Sequence, residues 1–115
     1  MNVEEIRAYC ISKPDVTESF PFDEDTLVFK ANGKMFLLFS LSDHPVRINV
    51  KCDPEIALAL RAEYTCVLPG YHMNKKHWNT IIIDGTLGKK IIEAQIDASY
   101  SLIVGGKSKS KSAQK

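Results

Sequence analysis

The segment PGYHMNKKHWNTIIIDG, residues 69–85, places Tyr71, His72, Asn74, Lys75, Lys76, His77 and the only tryptophan, Trp78, within eight positions. Lysines neutralise phosphates, an asparagine amide bonds to base edges or backbone, and aromatic rings stack on bases or apolar groups. This is contact chemistry. Serine, histidine and aspartate all occur in the chain, but not in a nucleophile-elbow, HExxH or glycine-rich phosphate-loop pattern, so no catalytic residues and no enzyme are expected. A plainer reading of the same residues makes Trp78 and Met73 anchors that hold the loop on the core, with Lys75 and Lys76 as its solvated side. Trp78 is expected to be mainly such an anchor, and it also stays among the candidate contacts.

Two other clusters could do chemistry. Asp23-Glu24-Asp25, with Glu18, could gather cations or a basic partner. The favoured reading is a solvated turn that keeps a sheet edge from aggregating. Cys66, His72 and His77 lack the compact paired spacing of a structural zinc site, so no metal and no cofactor are expected. Cys10, Cys52 and Cys66 form no CxxC pair and no disulfide framework, and read as small buried hydrophobes.

Charge argues against strong nucleic-acid affinity. Lys107, Lys109, Lys111 and Lys115 sit in the last eleven positions, leaving residues 1–104 with 11 basic against 14 acidic residues, a balance of −3. Residues 1–25 hold two basic against seven acidic. Duplex-DNA binders normally carry a basic excess, because affinity comes largely from phosphate neutralisation. No apolar run approaches the roughly 20 residues of a membrane span. The start Asn2-Val3-Glu4-Glu5 lacks the features of a signal peptide, so a cytoplasmic location and no membrane partner are expected.

At 115 residues the chain fits one domain, 1–104, followed by a flexible basic tail, 105–115. Asn2 and Glu5 predict a capping box and a helix from Val3 to about Ser12, with Val3, Ile6 and Cys10 on one face. Asn32-Gly33 between two apolar runs predicts a type I′ hairpin joining strands 26–31 and 34–41. Strict alternation over 46–52 turns Val46, Ile48, Val50 and Cys52 inward and Arg47, Asn49 and Lys51 outward. Asp53-Pro54 caps a helix to about Tyr64, expected to bury Ile56 and Leu60. Short strands follow at 66–68 and 79–84, the latter apolar on both sides and expected to be central. Thr86 is expected to cap a last helix to about Val104, with Ile92, Ile96, Ser99 and Ile103 inward and Ile91, Ala98 and Leu102 widening that stripe. Helix, three strands, helix, two strands, helix predicts an α+β two-layer sandwich, α-β(3)-α-β(2)-α, with a mainly antiparallel five-stranded sheet.

FPFDEDTLVFKANGKMFLL, RINVKCDPE and PGYHMNKKHWNTIIIDG resemble the MmcQ/YjbR family, and the likeness extends to about residue 104. The resemblance implies a YjbR-like fold of secretion-chaperone-like architecture. It also implies the DNA-binding label that members carry because their hairpin projections were likened to a "double wing". The KSKSKS tail departs from the family pattern.

The expected function is a small non-enzymatic binding module. Nucleic acid, in particular DNA, is its leading ligand, bound weakly through His72, Asn74, Lys75, Lys76, His77 and Trp78, with the polar strand face of Arg47, Asn49 and Lys51 extending the surface. The alternative is a protein-interaction or chaperone-like adaptor that uses an open face of its sheet.

Overall fold

The computed structural model describes residues 1–71 and 73–105. His72 and the basic segment 106–115 lie outside the described residues, and with them the contact role expected of His72 and the flexibility expected of the tail.

Helix α1 (Val3–Ile11) opens with the expected capping box: Glu5 N–H donates to Asn2 Oδ1 at 2.8 Å, and Asn2 N–H donates to Glu5 Oε1 at 3.0 Å. It buries Ile6 and Cys10. Asp15, with φ of 61°, then swings the chain into strand β1 (Val16–Ser19), which the sequence did not announce. Only Val16 and Glu18 of β1 turn inward, and Glu18 is ion-paired to Arg7, so the segment carries no apolar alternation. The sheet therefore has six strands where five were expected.

β1 pairs antiparallel with β2 (Thr26–Ala31), and Asn32 (φ 52°) and Gly33 (φ 79°) make the expected left-handed turn into β3 (Lys34–Ser40). Lys30 faces Met35 while Phe29 faces Leu37, so Phe36 is an extra residue in β3. This bulge lets Phe36 and Leu37, though consecutive, both be fully buried. β4 (Arg47–Lys51) pairs with β3 only at Leu37–Val50 and Leu38–Asn49. Ser99, on helix α3 (Lys89–Val104), fills the gap: its hydroxyl accepts from Lys51 N–H at 2.8 Å and donates to the Phe36 carbonyl. A serine on the core stripe is thus explained, since a buried backbone group left unpaired costs about 1–3 kcal/mol.

Helix α2 (Pro54–Glu63) is capped by Asp53, whose carboxylate accepts from Glu55 N–H at 3.0 Å. Its inward stripe is Ala57, Leu60, Arg61 and Tyr64, and Ile56, expected in the core, is 55% exposed. An arginine takes an inward position, which turns the helix away from the purely apolar choice. β5 (Val67–Pro69) and β6 (Trp78–Ile82) complete the sheet in the order β1-β2-β3-β4-β6-β5, with every pairing antiparallel. β6 is internal, as expected, with only the three-residue β5 outside it.

Helix α3 is N-capped by Gly88, without a side-chain bond, and not by Thr86. Thr86 N–H instead closes a turn on Asp84 Oδ1 at 2.9 Å, and Leu87 enters the core before the helix begins. Ile92, Ile96 and Ser99 are buried as expected, while Ile91, Ala98 and Leu102 are exposed. One sheet face supports α3, so only its narrow stripe is covered.

The three helices of the described residues lie on one sheet face: α1 against β1, α3 across β2, β3 and β4, and α2 across β5 and β6. Between the layers sits the main core, including Ile6, Phe29, Phe39, Ile48, Ile81 and Ile96. Each such side chain contributes roughly 1.5–3 kcal/mol when fully buried. The result is an α+β two-layer sandwich. Among the described residues no helix lies on the other sheet face, which carries a small cluster of Val28, Leu38 and Trp78, with Met35 and Met73 packed on it. Among the described residues, no helix is long and apolar enough to cross a membrane.

Candidate ligand-binding groove on the open sheet face

The 70–78 loop is built by its own polar residues. Asn74 Oδ1 accepts from Lys76 N–H at 2.9 Å and His77 N–H at 3.3 Å, and the Asn74 carbonyl accepts from Trp78 N–H at 2.9 Å. Gly70 N–H donates to the Trp78 carbonyl at 2.9 Å, closing the loop. The approach is so close that a Cβ on Gly70 would lie 2.7 Å from Trp78 Cβ. Trp78 itself is only 8% exposed, packed with Val28 and Leu38. Lys75 Nζ donates to the Gly70 carbonyl at 3.1 Å, so Lys75 is tied into the loop and is not purely solvated.

Arg61 reaches the same loop from α2. Its Nε donates to Asn79 Oδ1 at 2.7 Å and its Nη2 donates to the Trp78 carbonyl at 3.3 Å and to the Lys75 carbonyl. Asn79 is 1% exposed, and its amide completes the arrangement on the Ala57 carbonyl at 3.4 Å. Of the residues singled out as contacts, Asn74, Lys75 and Trp78 therefore hold the loop together, while Lys76 and His77 remain exposed on its outer side.

Arg47 and Lys51 are not brought together. Lys51 stands opposite Trp78 at one end of β4 and Arg47 opposite Ile82 at the other, four residues or about 13 Å away at strand rise. Arg47 instead lines a groove of about 590 Å³ on the open sheet face. Thr26, Leu38, Ser40, Asn49 and Thr80 line it from the strands. Phe22, with Asp23, lines it from the β1–β2 connection, and Tyr71, with Met73, from the 70–78 loop. Phe22 is 64% and Tyr71 63% exposed. Thr80 Oγ1 donates to Asn49 Oδ1 at 2.6 Å and accepts from Tyr71 N–H at 2.9 Å, fixing the second wall to the sheet.

Charge is uneven around this groove. Asp23 accepts from Thr26 N–H at 2.6 Å and Asp25 N–H at 2.9 Å, and these bonds hold its carboxyl below the ordinary aspartate range. Asp25 accepts from Ser42 N–H at 3.0 Å and from its hydroxyl at 2.7 Å. The acidic run thus organises its own loop while leaving negative charge beside Phe22. Among the described residues, neither the Asp43 carboxylate nor the Arg47 guanidinium, both lining the groove, has an ion-pair or hydrogen-bond partner.

Cys66 is buried in the main core at the Ile82 end of β6, and burial pushes its thiol up. His77 precedes the opposite end of that strand. Among the described residues, no group of three or more histidines, cysteines and acids is placed to hold a metal. The spacing of residue types along the chain does not mark Phe22, Ser40, Asp43 and Thr80 as site residues. The Phe20-Pro21-Phe22 triplet, two aromatics around a proline just before an acidic turn, was the available signal.

The chain belongs to the YjbR family, whose profile matches residues 11–102. It is 32% identical to the uncharacterised protein YjbR of Escherichia coli K12 over 104 residues, covering 90% of this chain and 88% of that one. With the uncharacterised protein YbdF of Escherichia coli O157:H7 the identity is 34% over 106 residues, covering 92% and 87%. The crystal structure of Deinococcus radiodurans protein DR2400, with a DUF419 domain, superposes with a TM-score of 0.87 at 37% identity, covering 94% of this chain and 83% of that one. A Pseudomonas syringae crystal structure gives a TM-score of 0.78 at 30% identity, covering 90% and 99%.

Proposed function

We propose that this protein is a non-enzymatic binding module that docks a segment of a partner protein in the groove on its open sheet face. The observation that carries this reading is the pair of walls: Phe22 and Tyr71, both largely exposed, flank a floor that mixes apolar, hydroxyl and amide groups. Exposed aromatics on a largely preformed concavity are what protein and peptide sites use for anchoring. The groove hydroxyl of Thr80 is held between Asn49 and the Tyr71 amide, an arrangement that supports shape and not nucleophilic attack. A cytoplasmic location belongs to the same proposal, supported by the three free, buried thiols.

Nucleic acid is the second reading, and DNA its leading form. It is favoured by one observation, the exposure of Lys76 and His77 beside the Lys51 end of β4. The −3 balance of residues 1–104 weighs against it. Pull-down from host lysate with the wild-type chain and with a Phe22→Ala, Tyr71→Ala double variant tests the choice. Nuclease-resistant recovery of a protein by the wild type alone is expected. Recovery of nucleic acid alone, unchanged in the double variant, contradicts it.

A further inference from the structure

We infer that the groove selects a basic, apolar segment, one that sets lysine or arginine side chains against its rim and apolar side chains between Phe22 and Tyr71. This deepens the proposed docking function and rests on it. Three charged side chains line the groove, Asp23, Asp43 and Arg47, so acids outnumber the base. The adjoining chain strengthens that sign: Glu24 and Asp25 follow Asp23 on the β1–β2 connection, and no lysine or arginine lies between Lys13 and Lys30.

The Asp43 carboxylate, which like the Arg47 guanidinium has no partner among the described residues, is the acidic group best able to gain a new ion pair. Asp23 stays ionised because two backbone N–H groups hold its charged form. Exposed aromatic faces add to the same preference, since a lysine or arginine cation is attracted to the ring face. A phosphate backbone meets two carboxylates, Asp23 and Asp43, against one cation, Arg47. A basic partner segment is the occupant that the charges complement.

The test is an NMR titration of the isotope-labelled full chain with two short synthetic peptides. They share the same leucine and phenylalanine positions and differ only in carrying lysine or glutamate between them. Oligothymidine serves as a polyanion control. The lysine peptide is expected to shift amides of Asp23, Ser40, Asn49 and Thr80 and to bind roughly tenfold or more tightly than the glutamate peptide. Asp43→Lys is expected to remove that preference while leaving the fold's spectrum unchanged. Equal affinity for the two peptides overturns the charge inference and leaves the docking function standing. Absence of shifts with either peptide at about millimolar concentration also overturns it. If oligothymidine alone moves the groove amides, the protein-docking reading falls as well.

Discussion

Arg61 Nε donates to Asn79 Oδ1 at 2.7 Å, and through that bond helix α2 fixes both strand β6 and the loop that forms one wall of the groove. Arg61 also donates to the Trp78 and Lys75 carbonyls, so a single guanidinium serves three acceptors. Arg61→Met should leave Asn79, which is 1% exposed, with an unpaired amide oxygen, and should lower stability by about 1–3 kcal/mol. Arg61→Lys should recover little of this, because an ammonium cannot reproduce the fork. Chemical denaturation measures the loss. Hydrogen exchange should show Lys76 and His77 amides exchanging faster in both variants, and unchanged protection there would contradict the clamp.

Gly70 and Trp78 make the second prediction. Gly70→Ala must push a Cβ into a site 2.7 Å from Trp78 Cβ and 3.0 Å from its carbonyl oxygen, so the loop has to shift. A loss of about 1–3 kcal/mol is expected. Trp78→Ala should cost more, roughly 3–5 kcal/mol, through the cavity left between Val28 and Leu38. A melting temperature unchanged by Trp78→Ala would mean that the indole is a contact and not an anchor.

Gly33→Val is a test of the hairpin. Gly33 has φ of 79°, and a β-branched residue resists that conformation, so a loss on the order of 1 kcal/mol or more should appear in thermal unfolding. The same variant with unaltered stability would count against the Asn32-Gly33 turn.

These elements differ in how far they could be read from the chain. The hairpin was legible because Asn32-Gly33 is a local signal, and β4 because Val46, Ile48, Val50 and Cys52 alternate without a break. β1 was not, because its inward positions are a valine and an ion-paired glutamate. The outward turn of Ile56 was hidden for a related reason: Arg61 is an inward residue whose partners, Asn79 and the loop carbonyls, lie 14–18 residues away along the chain. The loop at 71–78 was visible as a cluster of contact chemistry. The groove was not, since Phe22, Ser40, Arg47, Tyr71 and Thr80 meet only when the sheet forms. Sequence also could not say which loop cations are committed, as Lys75 is, and which remain available, as Lys76 is.

That division yields a charge prediction. Lys76→Glu should leave stability nearly unchanged and weaken any residual polyanion binding, with a flatter dependence on salt. Lys75→Glu should also loosen the loop, because Lys75 Nζ donates to the Gly70 carbonyl. Equal effects of the two substitutions on loop hydrogen exchange would contradict the assignment.

The Tyr9–Asp97–Lys13 cluster sets a pH dependence. Burial pushes the Asp97 carboxyl up, but hydrogen bonds from Lys13 and Tyr9 and the Lys13 charge outweigh it, and its net direction is down. Its stabilisation is therefore present above the unfolded value of about 3.9 and is lost as pH falls through the lower folded value. Tyr9, which donates to Asp97 at 2.7 Å, is pushed up to about 12. Its stabilisation is present below the unfolded value of about 10 and is lost as pH rises through the folded one. Asp97→Asn should flatten the acid limb of the melting-temperature profile. An acid limb unchanged by that substitution would remove Asp97 from the account.

Site-specific photo-crosslinking in the host cell tests the central claim most directly. A photoreactive phenylalanine analogue replaces Phe22 in one protein and, as a control, Leu102 on the exposed side of α3 in another. The account predicts a discrete protein adduct from position 22, resistant to nuclease, and none from position 102. Nuclease-sensitive adducts from position 22, or the same protein adduct from both positions, would contradict the claim that the open sheet face docks a partner protein.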